Sequence, residues 1–144
     1  MAFTAASLTE RIRIVLVHPG VGRNVGSVCR AMKTMGITEL YIVGGDEYDR
    51  SHAEVCAVHA DDILRQAVHV PDLRSALEGT VLSGGTTRRR GKWRKYFALE
   101  ADAFAQKAAS LDTGKIAVVF GNEKTGLSDE DLALCNLAVR IPTS

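Results

Sequence analysis

Short apolar runs, each closed by a glycine or proline turn and followed by a helical pattern, recur along this chain and restrict its fold more than any other feature. Residues 11–18 contain the unbroken apolar run 14–17, which reads as a strand buried on both faces of a parallel sheet. After the turn at 19–22, Val25, Val28, Cys29, Met32 and Met35 follow at i, i+3, i+4, i+7 spacing, which predicts a helix with one apolar face. Gly36 stands in the glycine stop position. Residues 40–43 read as a second strand closed by Gly44-Gly45, 51–64 as helix in two pieces, and 68–70 as a short strand. Pro71 opens a helix through Leu77, and Gly79 stops it. Residues 80–83 read as a fourth strand, 99–109 as an alanine-rich helix and 116–120 as the clearest strand. The loop 121–126 leads to a helix capped by Ser128, with Asp131 three residues on in a capping-box variant. Residues 137–141 form the last strand. Such alternation predicts an α/β fold, a parallel sheet with helices on both faces. No repeat and no linker interrupt it, so 1–144 reads as one domain. Ligands on such sheets bind beyond the carboxyl ends of the strands, which directs attention to loops 19–24, 44–49, 84–95 and 121–126.

Composition narrows the class. Of 144 residues, 46% are hydrophobic and 24% charged, a balance that excludes a disordered or fibrous chain. No apolar run approaches the roughly 20 residues of a membrane span, and residues 1–7 lack the features of a signal peptide. Cys29, Cys56 and Cys135 are odd in number, far apart and never in Cys-x-x-Cys, so free thiols in a cytoplasmic protein are expected. His18, His52, His59 and His69 show no ligand spacing, and no metal is expected.

The net charge of +1 hides an asymmetry. Arg88, Arg89, Arg90, Lys92, Arg94 and Lys95 fill six of eight successive positions, leaving 12 basic and 17 acidic residues elsewhere. Trp93, Tyr96 and Phe97 are interleaved. Arginines supply phosphate contacts and aromatic faces stack on unpaired bases. The bland alternative is a solvated loop, but that many like charges repel one another without a polyanion. The segment is not a P-loop, because Trp93 stands where Ser or Thr would hold magnesium.

Two other loops could carry chemistry. Gly20-Val21-Gly22-Arg23-Asn24-Val25-Gly26 resembles a dinucleotide fingerprint one residue too long. Asn24 suits a helix N-cap. Arg30 lies at the border of the apolar stripe, where most arginines are solvated charges. Gly26, four residues earlier on the same face, is expected to leave room for a ligand beside the guanidinium. In Phe120-Gly121-Asn122-Glu123-Lys124-Thr125-Gly126-Leu127-Ser128, two glycines permit close backbone approach, and Glu123 could be a simple turn acid.

Taken together these segments resemble a known family. The run from Asn24 to Arg30 resembles motif 1 of the SpoU/TrmH branch of the SPOUT RNA methyltransferases, and the run from Phe120 to Ser128 is similar to motif 2. Gly85-Thr86-Thr87-Arg88 is similar to an element after the fourth strand in the TrmJ-like subgroup. The resemblance implies transfer of a methyl group from S-adenosyl-L-methionine to a ribose 2′-hydroxyl, mostly in tRNA, by a homodimer whose fold carries a trefoil knot. It implies Arg30 as catalytic arginine with Asn24 as companion. It also implies Thr86, Thr87, Arg88, Gly121, Glu123 and Ile141 at the cofactor, while the charge pattern itself points to an RNA-contacting set of Arg23, Arg89, Arg90, Lys92, Trp93, Arg94 and Lys95. Arg88 departs from the usual alanine, which turns its side chain toward RNA. Motif 3, with its Ser-Leu-Asn segment, does not occur in the sequence, so the C-terminal knot segment is expected to lie beyond Ser144. Two other classes compete: a nicotinamide-dinucleotide-binding oxidoreductase using Asp46 for the ribose hydroxyls, and a non-catalytic RNA-binding protein on the same scaffold.

Overall fold

A computed structural model describes residues 7–45, 47–87 and 98–140. Seven strands form one sheet: β1 (Ile12–Val17), β2 (Glu39–Val43), β3 (Val68–Val70), β4 (Thr80–Thr87), β5 (Ala98–Glu100), β6 (Lys115–Phe120) and β7 (Leu137–Arg140). Their order is β3-β2-β1-β6-β4-β7-β5, with every pairing parallel. The expected parallel α/β sheet is therefore present. The central strands explain their own sequences: Val15, Ile42 and Ile116 are fully buried, each contributing roughly 1.5–3 kcal/mol by leaving water.

Helices cover both faces. On one side α1 (Gly22–Met35), α2 (Arg50–Ala57) and α3 (Asp61–Arg65) pack on Ile14, Leu16, Leu40 and Ile42. On the same side, over the other half of the sheet, α5 (Ala101–Ala109) sets Phe104 and Ala108 on Leu82, Ile116 and Val139. The opposite face carries α4 (Leu73–Ala76) and α6 (Asp129–Leu134), over Val15, Val17, Ala117, Val119 and Ala138. Residues 51–64 divide as expected, α2 and α3 being joined by a 3₁₀ turn at Val58–Ala60. Asp72 and Ser128 cap α4 and α6, accepting hydrogen bonds from the Ser75 and Asp131 amides.

Several boundaries differ from expectation. Helix α4 starts at Leu73 behind its Asp72 cap, not at Pro71, and ends at Ala76. Strand β4 continues through Gly84 and Gly85 to Thr87 instead of ending at 83. These glycines look like loop formers but serve close packing. A Cβ on Gly84 would lie 2.6 Å from the Phe104 ring, and one on Gly85 would lie 2.8 Å from Leu132. Residues 98–100 are an edge strand on β7, so helix α5 begins at Ala101. At the amino edge of the sheet the buried Arg13 is fully occupied. Its Nε donates to Glu39 at 2.6 Å, its Nη1 to the Ala76 and Glu78 carbonyls, and its guanidinium lies over the Tyr41 ring. It holds structure, on the side away from the candidate loops.

Candidate active site

The loop after β6 is built around Gly121. A Cβ there would lie 2.2 Å from the Gly126 carbonyl carbon and 2.3 Å from the Leu127 nitrogen, so only glycine lets the loop fold back on itself. Asn122 closes the turn. Its carbonyl accepts from the Gly126 amide at 2.8 Å, and its side-chain Oδ1 accepts from the Lys124 and Thr125 amides at 2.8 and 3.3 Å. Its Nδ2 donates to the His18 carbonyl at 2.9 Å.

Glu123 is more than a turn acid. Its Oε1 accepts from the Gly20 amide and its Oε2 from the Val21 amide, both at 2.9 Å. Val21 is the N-cap position of α1 and makes no side-chain cap. The Glu123 carboxylate, brought from another loop, serves those amides instead and complements the helix dipole. Asn24 is thus not the N-cap: it is the third residue of α1, and its side chain helps hold the Glu123 carboxyl ionised. Burial pushes the Glu123 carboxyl up, but hydrogen bonds from the Gly20, Glu123 and Val21 amides and from Asn24 outweigh it and hold it below the ordinary glutamate value.

A cavity of about 290 Å³ opens at the carboxyl ends of β4 and β6, walled by Thr86, Thr87, Gly121 and the loop that follows. The fold therefore brings together Thr86, Thr87, Gly121 and Glu123 from the expected cofactor set. The Thr86 hydroxyl donates to the Val119 carbonyl at 3.1 Å, which fixes that wall. Main-chain groups and small hydroxyls suit a polar, partly apolar small molecule approaching the backbone closely. An S-adenosyl-L-methionine molecule fits this donor set. Arg88 and Ile141 lie outside the described residues, as do Asp46, Arg89, Arg90, Lys92, Trp93, Arg94 and Lys95. Among the described residues no cluster of three or more His, Cys, Asp or Glu is arranged to hold a metal, and no helix is long and apolar enough to cross a membrane.

A second cavity, about 270 Å³, runs along the other side of Phe120, Gly121 and Glu123. Its floor is Ile14 and Leu16, and its far wall is Val28, Ala31 and Met35 of α1. Met35 is 55% exposed, so this apolar groove opens to solvent.

Arg30 borders neither cavity. It is exposed on α1, and among the described residues its guanidinium has no hydrogen-bond or ion-pair partner. Asn24 and Arg30, six residues apart in one helix, sit about 9 Å apart along the axis and about 120° around it. They do not converge on one point. The room expected at Gly26 is filled. A Cβ there would lie 2.7–2.8 Å from Cys56, the Ala53 carbonyl oxygen and the Ala57 nitrogen, because α2 crosses α1 at that spot. Gly22 meets Asp49 and Ala53 in the same way, and one turn beyond Arg30 the Lys33 ammonium pairs with Asp62 at 2.9 Å. The glycines are a helix-crossing device, not a ligand pocket. Arg23 lies on the exposed side of α1 near its start.

One feature escaped the sequence reading. His18, directly after β1, has a φ of 48°, a left-handed conformation that costs a non-glycine residue roughly 1–3 kcal/mol. Its amide donates to the Val43 carbonyl, and its Nδ1 pairs with Glu47 Oε1 at 2.9 Å. That bond holds the Glu47 carboxyl below the ordinary glutamate range. No periodicity marks such a residue. Gly44-Gly45 opposite it was the available hint, since a Cβ on Gly44 would lie 2.6 Å from His18 Nδ1.

Comparison with known proteins agrees with this geometry. A profile of the SpoU rRNA Methylase family matches residues 11–144. The chain is 35% identical over 137 residues to the tRNA (cytidine/uridine-2′-O-)-methyltransferase TrmJ of Photorhabdus laumondii, covering 95% of this chain and 57% of that protein. Among solved structures, a probable methylase family protein of Haemophilus influenzae superposes with a TM-score of 0.86 at 34% identity, over 94% of this chain and 57% of that one. TrmJ of Z. mobilis gives 0.83 at 29% identity, over 92% and 58%. The chain thus spans a little under three-fifths of the length of these relatives. On the family profile and these likenesses, it belongs to the SpoU methylase family.

Proposed function

We propose that this chain is an S-adenosyl-L-methionine-dependent tRNA ribose 2′-O-methyltransferase domain, spanning 1–144 and working in the cytoplasm. The observation that carries the reading is the coupling of α1 to the cavity: Glu123 lines the cavity and also holds the start of the helix that presents an unpartnered arginine. The activity of the TrmJ relatives fits that arrangement.

S-adenosyl-L-methionine, when bound, supplies a methyl group already activated by its sulfonium. The ribose 2′-oxygen would receive that methyl and give up its proton to solvent. Thr86, Thr87 and Gly121 would hold the donor, with Arg88 and Ile141 completing the pocket. Glu123 keeps that wall and α1 in register, with its carboxylate oxygens engaged by the Gly20 and Val21 amides. Arg30 offers a guanidinium fork, which suits charge stabilisation better than proton abstraction. Its task is to stand beside the oxygen or neighbouring phosphate and stabilise developing negative charge. Binding then reduces to alignment of the reacting atoms.

Arg30 stands away from the cavity of its own chain, and this separation supports a homodimer in which one chain's Arg30 and the other chain's cavity form one site. The open apolar groove along α1 is the kind of surface such a partner covers. The basic segment 88–95, with Trp93, would grip the RNA backbone and unpaired bases, aided by Arg23.

Methyl transfer from labelled S-adenosyl-L-methionine to bulk tRNA tests the reading. Label in ribose 2′-O-methyl nucleosides is expected. Binding of S-adenosyl-L-methionine and tRNA without transfer would leave a non-catalytic RNA-binding protein. Affinity for NAD alone would favour the oxidoreductase.

A further inference from the structure

We propose that His18 is a positioning residue for the cavity at the carboxyl ends of β4 and β6, acting through its backbone carbonyl on Asn122. The proposal deepens the methyltransferase reading and rests on it for the identity of the ligand, though not for the geometry.

The contacts form one continuous path. Glu47, in the loop after β2, holds the His18 ring through Oε1 to Nδ1 at 2.9 Å, and its Oε2 accepts from the Gly45 amide at 3.3 Å. Gly44 leaves the space that the ring occupies. The His18 amide is fixed by the Val43 carbonyl. Held from both sides, His18 takes the left-handed conformation and turns its carbonyl toward Asn122 Nδ2, 2.9 Å away. That acceptor decides which way the Asn122 amide points. With Nδ2 engaged by His18, Oδ1 faces the Lys124 and Thr125 amides, and those residues wall the cavity. The side chain that sets the loop is thus oriented from β1, across the sheet edge.

The energetics make this path sensitive. A left-handed non-glycine residue is unfavourable, and the half-exposed hydrogen bond between His18 and Glu47 contributes only modestly. The two effects are of the same order, so removing that bond is enough to let His18 relax to negative φ. Its carbonyl then leaves Asn122, and the loop loses its fixed orientation. A merely structural histidine would act through packing, and a smaller residue at the same position would be worse the smaller it is. Glycine should do the reverse, because it adopts positive φ without the hydrogen bond to Glu47.

The experiment compares His18→Ala, His18→Gly and Glu47→Gln with the unaltered protein. Two readouts are used: the side-chain amide resonances of Asn122 by NMR, and the affinity for S-adenosyl-L-methionine by calorimetry. The Asn122 amide signals should move in His18→Ala, move partly in Glu47→Gln, and stay near their original place in His18→Gly. Affinity should fall about tenfold in His18→Ala, an order set by the cost of the strained conformation. It should stay within about threefold in His18→Gly. Unmoved Asn122 signals in His18→Ala, or His18→Gly as impaired as His18→Ala, overturns the proposal. If His18→Ala does not fold, Glu47→Gln against His18→Gly decides, because both keep the backbone chain intact. If the unaltered protein does not bind S-adenosyl-L-methionine, the function proposed above fails, while the NMR series still decides the role of His18.

Discussion

The two cavities that share the Phe120–Gly121–Glu123 wall are nearly equal in volume and opposite in chemistry. One, beyond the ends of β4 and β6, is lined by threonines and the turns of a hydrogen-bonded loop. The other, along α1, is lined by Ile14, Leu16, Val28, Ala31 and Met35. The first has its polar groups set in advance, as a small-molecule site requires. The second offers area without direction, as a protein-covered surface does. Arg30 belongs to neither, which separates the parts of the proposed site into a preorganised half and a waiting half. That division can be broken or sharpened by experiment.

The largest effect is expected at the waiting half. Arg30→Ala should lower turnover at least about 100-fold, the scale for losing one donor that stabilises developing charge. Affinity for S-adenosyl-L-methionine should hardly change, since Arg30 does not line the cavity. Single-turnover kinetics and calorimetry check the two parts. Mixing sharpens the result. If the halves come from different chains, Arg30→Ala mixed with a chain whose cavity is filled by Thr87→Trp should recover about a quarter of the original activity, because half of randomly paired dimers carry one intact site. No recovery, with both variants folded, places the whole site within one chain.

At the preorganised half, Glu123→Ala leaves the Gly20 and Val21 amides without their acceptor and should cost about 2 kcal/mol in urea unfolding. The pH dependence has a definite sign. The Glu123 carboxyl is held below the ordinary glutamate value of 4.5. Its contribution is therefore fully present above 4.5 and disappears as pH falls through the folded-state value. Glu123→Gln should unfold with a shallower loss of stability in acid than the unaltered protein. An identical acid profile would mean the carboxylate is not what holds the loop.

A smaller effect distinguishes packing from ligand space at Gly26. Adding a methyl group forces α1 and α2 apart against backbone atoms, at roughly 1–3 kcal/mol, partly offset by the better helix propensity of alanine. Gly26→Ala should thus lower the unfolding midpoint while leaving RNA affinity nearly unchanged. Lost RNA affinity at full stability would restore the idea of ligand room beside Arg30.

Gly26 also marks where sequence reasoning stops. Its position in the helix was plain from the apolar spacing, and so were the parallel sheet and the loops to inspect. Whether a glycine makes room for a ligand or for another helix depends on what crosses it, and that is a tertiary fact. The same ambiguity hid the second half of β4, because Gly84 and Gly85 resemble a turn until Phe104 and Leu132 are seen above them. Glu123 could be placed in the loop but not on the Gly20 and Val21 amides, more than a hundred residues away in sequence. Asn24 fits the statistics of an N-cap, and the helix simply starts three residues earlier, with Val21 at the N-cap. Periodicity fixes which residues share a face, whereas contacts across the sheet edge leave no local pattern.

The smallest effect concerns the basic segment that follows in sequence after Thr87, a residue of the polar cavity's wall. Six positive charges in residues 88–95 should make RNA affinity fall steeply with salt, because each phosphate contact releases condensed counterions. Each contributes about −0.7 to −0.9 to the slope of log affinity against log salt. Neutralising Arg90 and Arg94 together should flatten that slope by about one to two units. Between 50 and 200 mM salt, one unit changes affinity about fourfold, so the effect is visible only in a salt series and easily missed at one concentration. Trp93→Ala should act differently, weakening binding to unpaired loops more than to duplex RNA and leaving the slope in place, because stacking displaces no counterions. An unchanged slope in the double variant would move the RNA away from this segment. Arg23 and Arg30 on α1 would then remain as the charged surface to test, and the polar cavity would have to receive its ribose from the α1 side.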